Sequence, residues 1–295
     1  MQLFKEAFKS LKFGEQQEFG NLRLTPIVID ELNPPNGFVG FDELFDKGLV
    51  EASELSASGV VGRISVENKS DSFLVLLDGE ALVGAKQNRI VERSMIIAPM
   101  SSLSVPVNCV ERGRWSYDRR APASFRKSDF VATPSMKMSK AAMIKEKLDH
   151  SIQSEMWASV DRVAASHDVS SQSDDLGEIF EKSNAEEQNA LQSYIQKVTA
   201  HGFVVEGVEN PFIELFCYSD FCANYCKKAA KAWLSESGLN TKKELSNPGL
   251  LQEIIWEPSE SFGVENAWVP TGHSTGRLIQ SKQGQLVHMF WGSVL

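Results

Sequence analysis

The feature that most limits how this chain can fold is a change of hydrophobic period at Pro134. Over residues 14–133 the apolar residues come in short runs set off by turn residues, at 22–29, 60–66, 73–77, 81–83, 90–98 and 103–110. Runs of that length and spacing predict the antiparallel strands of a sandwich or barrel. Beyond Pro134 the rhythm lengthens to 3.6 residues: Ala142, Met143, Ile152, Met156, Trp157, Val160 and Val163 mark a helical stretch over 139–166, broken at His150-Ser151. A second helical segment is expected over 174–201, and a third, capped by Ser219, reaches about residue 235. Two strands hinged at Asn210-Pro211 fill 203–216, and a hairpin over 278–290 turns at Ser281-Lys282-Gln283-Gly284. Strands at both ends with helices between them predict one α+β unit over 1–295: β-rich over 14–135, helix-rich over 139–236, with a C-terminal hairpin region, 262–293, that rejoins the first sheet. The alternative is two domains, with 121–137 as the linker.

Local signals add detail. Asp78-Gly79, between Leu77 and Glu80, predicts a two-residue hairpin, because a type I′ turn needs positive φ at both central positions. Residues 2–11 predict an amphipathic helix, with Leu3, Phe4, Ala7, Phe8 and Leu11 opposite Lys5, Lys9 and Lys12. Such a helix either caps a sheet or lies on a membrane surface. Asn33-Pro34-Pro35-Asn36-Gly37 and Ser246-Asn247-Pro248-Gly249 read as turns, and 41–45 as a helical turn.

Charge narrows the function. Residues 84–128 hold nine Lys or Arg against three acids, a net +6, in a chain of net −9, so the other 250 residues carry −15. Arg112, Arg114, Arg119, Arg120 and Arg126 surround Trp115 and Tyr117. Like charges gathered so closely need a negative partner, and an anionic ligand is the simplest one. The acidity of the whole argues against a protein that coats nucleic acid and favours a nucleotide-sized, phosphate-bearing molecule. No apolar run approaches the roughly 18–20 residues that span a bilayer, and no signal-peptide segment is seen, so a cytoplasmic location is expected. Cys109, Cys217, Cys222 and Cys226 are expected to be free thiols. Their C-x4-C-x3-C run lacks a second pair at zinc-site spacing, and Glu155, Glu178, Glu181, Glu186 and Glu187 lack an E-x-x-H partner, so no metal site is expected.

Two clusters can carry chemistry. Lys86, Gln87, Asn88 and Arg89 are four consecutive long polar side chains that follow a strand and can donate to phosphate or carboxylate oxygens. Arg112 and Arg114 flank Gly113, where the backbone can take positive φ or approach a ligand closely, and Trp115 can stack on a base or a guanidinium. The alternative is an internal network in which Glu80 and Glu111 pair with Lys86, Arg89 or Arg112. In a catalytic reading, Glu80 or Glu111 is a general base while Lys86 or an arginine stabilises developing negative charge. A nucleophilic Cys109 thiolate beside Glu111 and His288 is another arrangement, set against Cys109 as a core residue. His288 alternates with Val287 and Met289 on a strand and faces either a polar surface or a ligand pocket. His273 and Arg277 suggest an anion-cradling loop, set against a solvated approach to the hairpin, while His150, His167 and His201 fall near helix ends. Dinucleotide-fingerprint, nucleophile-elbow, P-loop and zinc-protease patterns are absent.

These strings have a familiar arrangement. Leu77-Asp78-Gly79-Glu80, then Gly84-Ala85-Lys86-Gln87-Asn88-Arg89, then Val105-Pro106-Val107-x-Cys109-Val110-Glu111-x-Gly113-Arg114-Trp115, with Gln153-x-Glu155-x-Trp157 and Val287-His288-x-x-Phe290, resemble the prokaryotic ARG and Rhodanese-Phosphatase-superfamily-associated Protein domain family. The resemblance extends over about residues 55–290 and is most specific at 77–115. It implies a bacterial protein linked, through the family's name, to ADP-ribosylglycohydrolase-like and phosphatase-like partners, and an ADP-ribose or NAD-related context. It implies no particular reaction and names no cofactor.

The expectation is a cytoplasmic anion- or nucleotide-binding module that works with a partner enzyme, with Lys86, Gln87, Asn88, Arg89, Arg112, Gly113, Arg114, Trp115 and His288 about one cleft. The alternatives are a hydrolase or transferase acting on a phosphate-bearing nucleotide, with Glu80 or Glu111 as base, and a docking module for an acidic protein.

Overall fold

The computed structural model of the chain describes residues 8–30, 32–116, 124–166, 175–181, 185–237, 245, 251 and 253–293. It opens with β1 (Leu11–Phe13), β2 (Gln17–Phe19), β3 (Leu22–Ile29), β4 (Phe38–Gly40) and helix α1 (Phe41–Asp46). Then come β5 (Val50–Glu54), β6 (Arg63–Asn68), β7 (Phe73–Leu76), β8 (Glu80–Gly84), β9 (Arg89–Val91), β10 (Met95–Ile97), β11 (Ser101–Cys109) and β12 (Ser124–Val131). The helices α2 (Pro134–Lys145), α3 (Ile152–Ser166), α4 (Leu176–Phe180) and α5 (Ala185–Lys197) follow. After these come β13 (Gly202–Glu206), β14 (Phe212–Phe216), α6 (Ser219–Glu236), β15 (Trp256–Ser259), β16 (Asn266–Pro270), β17 (Ser274–Gln280) and β18 (Leu286–Ser293).

The expected α+β class with a barrel-like part is what the chain adopts. Strands β11, β6, β5, β12, β8 and β9 close into an antiparallel barrel. Its interior is apolar by the period-2 rule: Ala52, Ile64, Val66, Leu82, Val91, Val105, Val107 and Phe125 fill it. Residues of opposite parity, Ala81, Ile90 and Val110, line the outer wall and share a core with Met156, Val160, Leu176, Phe203 and Phe290 from the helices and the large sheet. That sheet runs β1-β3-β13-β14-β18-β17-β16-β15, with β2 paired to β3. The C-terminal hairpin of β17 and β18 therefore does rejoin early strands, through β14 and β13, but it reaches β1 to β3 rather than the barrel.

Several local expectations are corrected. Asp78-Gly79 is a tight turn, with Gly79 at φ 79° and Glu80 N donating to Leu77 O at 3.1 Å, yet it does not make a hairpin. β7 pairs with β10 and β4 in a separate three-stranded sheet, whereas β8 enters the barrel, so the turn passes the chain between sheets. The run 90–98 splits into β9 and β10 for the same reason. The linker candidate contains β12, a barrel strand paired to β5 and β8. Leu11 begins a strand instead of ending a helix, and the rest of that segment up to residue 7 lies outside the described residues, as does the turn at 246–249. Within 174–201 two helices form, α4 and α5, and Tyr218 occupies the N-cap position of α6 in place of Ser219.

Helix α2 joins the layers. Thr133 caps it, its hydroxyl accepting from Met136 N at 3.4 Å, and Pro134 sits at the first helical position, where a missing N–H costs nothing. Lys140, fully buried, pairs with Asp78 in the β7–β8 turn and donates to Val91 O at 3.3 Å. Lys137 pairs with Glu214 on β14 and reaches the hydroxyl of Tyr225 on α6 at 3.0 Å. Burial lowers the pKa of Lys140 and Asp78 pulls it back up. Removing one partner of such a pair strands the other charge, so Lys140→Met is expected to cost about 3–5 kcal/mol in urea denaturation. A loss under about 1 kcal/mol would show that the pair contributes little.

Candidate functional site

The Lys86–Arg89 segment is itself a hairpin turn, joining the antiparallel strands β8 and β9 at one end of the barrel. The positive φ values that shape it belong to Gly84 (115°) and Ala85 (43°) rather than to Gly113. Asn88 Oδ1 accepts from Gly84 N at 2.9 Å and closes the turn. The Arg112–Trp115 segment leaves the adjacent end of β11, so the structure brings the two basic clusters together at this mouth.

Most of the positive charge there is met from within the protein. Arg114 grips Glu111 with Nε and Nη2, both at 2.7 Å, and donates to Ala85 O at 2.6 Å. Glu111 also accepts from Asn88 N at 3.0 Å. Arg112 pairs with Asp161 on α3 at 3.0 Å and lies over the Trp157 ring. Lys86 Nζ donates to Ser58 O at 2.7 Å, and Gln87 Nε2 approaches Arg112 O at 3.5 Å. Asn88 Nδ2 reaches both oxygens of Asp175, each at 3.2 Å. Burial lifts Asp175 to about 6, against the pull of Asn88 and of Gly177 N.

Arg89 differs from its neighbours. It shares the inward parity of Val91 and is 0 % exposed, inside the barrel, opposite Cys109 in the β9–β11 register. Its Nη1 donates to Gln87 Oε1 at 3.0 Å and to Cys109 Sγ, and Nη2 lies 3.8 Å from Glu54 Oε1. Nε and Nη2 have no hydrogen-bond partner among the described residues, and neither has Glu54 Oε2. Trp115, 42 % exposed, covers this group with its ring 5.3 Å from the guanidinium carbon and 5.7 Å from Lys86 Nζ. Burial raises the Cys109 thiol to about 11 despite Arg89, so it is protonated at neutral pH. That leaves Cys109 a poor nucleophile, and His288 lies elsewhere.

Glu80 and His288 are not part of this mouth. Glu80 starts β8 at the opposite end of the barrel, paired with Lys228 on α6 at 3.0 Å, and Lys228 also holds Asp42 at 2.9 Å. Burial pushes the Glu80 carboxyl up, against Lys228. His288 Nε2 bonds Glu214 at 2.9 Å and Nδ1 bonds Ser94 Oγ at 2.8 Å, while Ser94 Oγ accepts from Asp78 N at 2.8 Å. Burial lowers the His288 pKa, which suits a neutral ring accepting from Ser94 and donating to Glu214. Arg277 is a buried residue of β17, donating to Glu260 O at 2.8 Å, and not part of an open loop with the exposed His273. Tyr117, Arg119, Arg120 and His167 lie outside the described residues.

The sequence matches the ARG and Rhodanese-Phosphatase-superfamily-associated Protein domain over residues 10–289. The chain belongs to this family. The family's name associates the domain with the rhodanese-phosphatase superfamily, and so with a partner protein. No curated protein and no solved structure matches the chain. Of the strings that carry the resemblance, 84–89 and 109–115 fall at the mouth and 77–80 at the far end of the barrel, while 153–157 lies on α3 and 287–290 on β18 of the large sheet. Glu54, Asp175, Lys137, Lys140, Tyr225 and Lys228 escaped sequence reasoning. For the two α2 lysines a signal existed: they stand three apart among Met and Ala on a helix with no separate polar face.

Two outcomes are expected. Cys109 should resist a charged disulfide reagent at pH 7, with labelling, mapped by mass spectrometry, rising only as pH climbs toward about 11; rapid labelling at neutral pH would contradict this environment. Asp175 holds its proton to about 6 when folded, above its unfolded value, so its contribution to stability is greatest below the unfolded pKa and declines as pH rises through about 6. Asp175→Asn should remove that decline from the stability–pH curve, and an unchanged slope would assign it to other groups.

Proposed function

We propose that this chain is a cytoplasmic anion-binding module, acting as one α+β unit over residues 1–295, that takes a phosphate-bearing small molecule at the barrel mouth and works with a partner enzyme. The observation that carries this reading is Arg89. Leaving a buried donor unmade costs on the order of 1–3 kcal/mol, more for a charged group, so an interior guanidinium whose Nε and Nη2 make no hydrogen bond among the described residues, with Glu54 only an ion-pair partner at 3.8 Å, suits a group supplied from outside the chain. A phosphate oxygen has the charge and the paired acceptors to take both. Lys86 and Arg114 stand at the rim, and Trp115 offers a face on which a base can stack once its ring swings off Arg89. Gln87 and Asn88 belong to the turn beside them, and Arg112 and Gly113 flank it from the end of β11. ADP-ribose or an NAD-related nucleotide is the ligand class put first, in keeping with the basic cluster and the exposed indole. The cytoplasmic assignment is supported by the four cysteines, all buried free thiols.

The alternative of catalysis by Glu111 has less support, because both its oxygens are held by Arg114. Glu80 belongs to the opposite end and His288 to the interior network, so neither enters this proposal.

A thermal-shift series with ADP-ribose, NAD, nucleoside phosphates and inorganic phosphate tests it. Ligand at a hundredfold excess over its dissociation constant is expected to stabilise the protein by about 2.7 kcal/mol. The shift should disappear in Arg89→Gln and fall in the Arg112→Ala/Arg114→Ala double variant, with circular dichroism confirming that each is folded. Silence from every phosphate ligand, or an undiminished shift in both variants, would sink the proposal.

A further inference from the structure

A second site lies at the far end of the barrel, independent of the anion-binding reading. Helix α1, strands β4, β7 and β8 and the first turns of α6 line a half-open cavity of about 270 Å³. Its floor carries Glu80 and Lys228, 4 % and 7 % exposed, with Asp42 completing the triad. Lys228 is already shared by two carboxylates, so its charge is spent within the protein. Asp42 uses only Oδ2 on Lys228, and its Oδ1 is buried without a hydrogen-bond partner among the described residues. Asp220, in the first turn of α6, adds a third carboxylate to the lining.

The walls are aromatic. Phe38 stacks on Phe73 at 5.0 Å, and Tyr218 meets Phe221 edge-on at 5.2 Å. Phe38, Tyr218 and Phe221 line the cavity. Glu43 also lines the cavity, but Lys47 pairs with it at 2.6 Å; the remaining three carboxylates against one ammonium leave it negative. The terminus of α6 contributes only about half a positive charge, and even with Glu80 protonated the balance does not reverse. Aromatic faces beside unmet negative charge attract cations, most strongly where water is excluded.

We propose that this cavity binds a small organic cation, a primary ammonium or guanidinium on an apolar body, with its charge on the Asp42 carboxylate and its body against Phe38, Tyr218 and Phe221. An anion is disfavoured by the same charges, and a purely apolar ligand would leave Asp42 Oδ1 buried and unmet.

Calorimetric titration of the full chain with benzylammonium and with its neutral isostere benzyl alcohol tests the assignment. Benzylammonium is expected to bind saturably, and tenfold or more tighter than the alcohol. Asp42→Asn should weaken it by roughly tenfold, about 1.4 kcal/mol. Asp220→Asn, which leaves the Lys228 pairs in place, should weaken it roughly threefold, and Arg89→Gln should not change it. Equal affinity for the two probes, no binding of benzylammonium, or full affinity in both aspartate variants would overturn the proposal. Because Arg89→Gln separates the ends of the barrel, loss of the phosphate response leaves this result standing.

Discussion

Everything in this structure hangs on two lysines of one helix. α2 lies where the barrel, the large sheet and α6 meet, and Lys140 and Lys137 hold the β7–β8 turn and β14 respectively. Buried ammonium groups are costly unless each meets a carboxylate in good geometry, so they specify which surfaces meet as well as how firmly. The chain Asp78, Ser94, His288, Glu214 and Lys137 carries the same constraint across the junction. Tyr225 ties it to α6 through Asp78 O at 2.6 Å. A neutral His288 suits that role, since it accepts at one nitrogen and donates at the other without bringing another charge into the interior.

That junction also separates the two ends of the barrel. At the mouth, arginines are neutralised one by one by Glu111, Asp161 and Glu54, and Arg89 alone of the mouth cluster sits inside the barrel. At the far end, acids outnumber bases around a cavity. A stretch that counts as +6 in the sequence is therefore divided in space: Arg93 follows β9 at the far end and pairs with Glu92, whereas Lys127 on β12 pairs with Asp46 at 2.6 Å. Charge density along a chain is a guide to where ion pairs form, and only partners in space decide which charge is left to meet a ligand.

Much of the fold was legible because it follows from side-chain period. β3, β7, β8 and β11 lie where alternating or continuous apolar runs stood, and the α2–α3 break, residues 146–151, includes the expected His150-Ser151. The strand-pairing errors share one cause. Asp78-Gly79 has the residues of a hairpin turn, but β8 finds better partners in β12 and β9, while β7 finds β10 and β4. Local chemistry set the turn and long-range pairing chose its neighbours. Grouping Glu80 with Lys86 failed likewise, because a strand the length of β8 carries its two ends to opposite sides of the barrel.

The sequence by itself determined the α+β class, the antiparallel strands, the two basic clusters and the family, since these depend on period, composition and contiguous strings. Tertiary structure decided that the clusters meet at one mouth, that Arg89 points inward, that Glu80 and His288 belong elsewhere, and that Lys137 and Lys140 are buried links. The reason is physical: the direction a side chain faces is local, but its burial and its counter-charge come from residues distant in the chain.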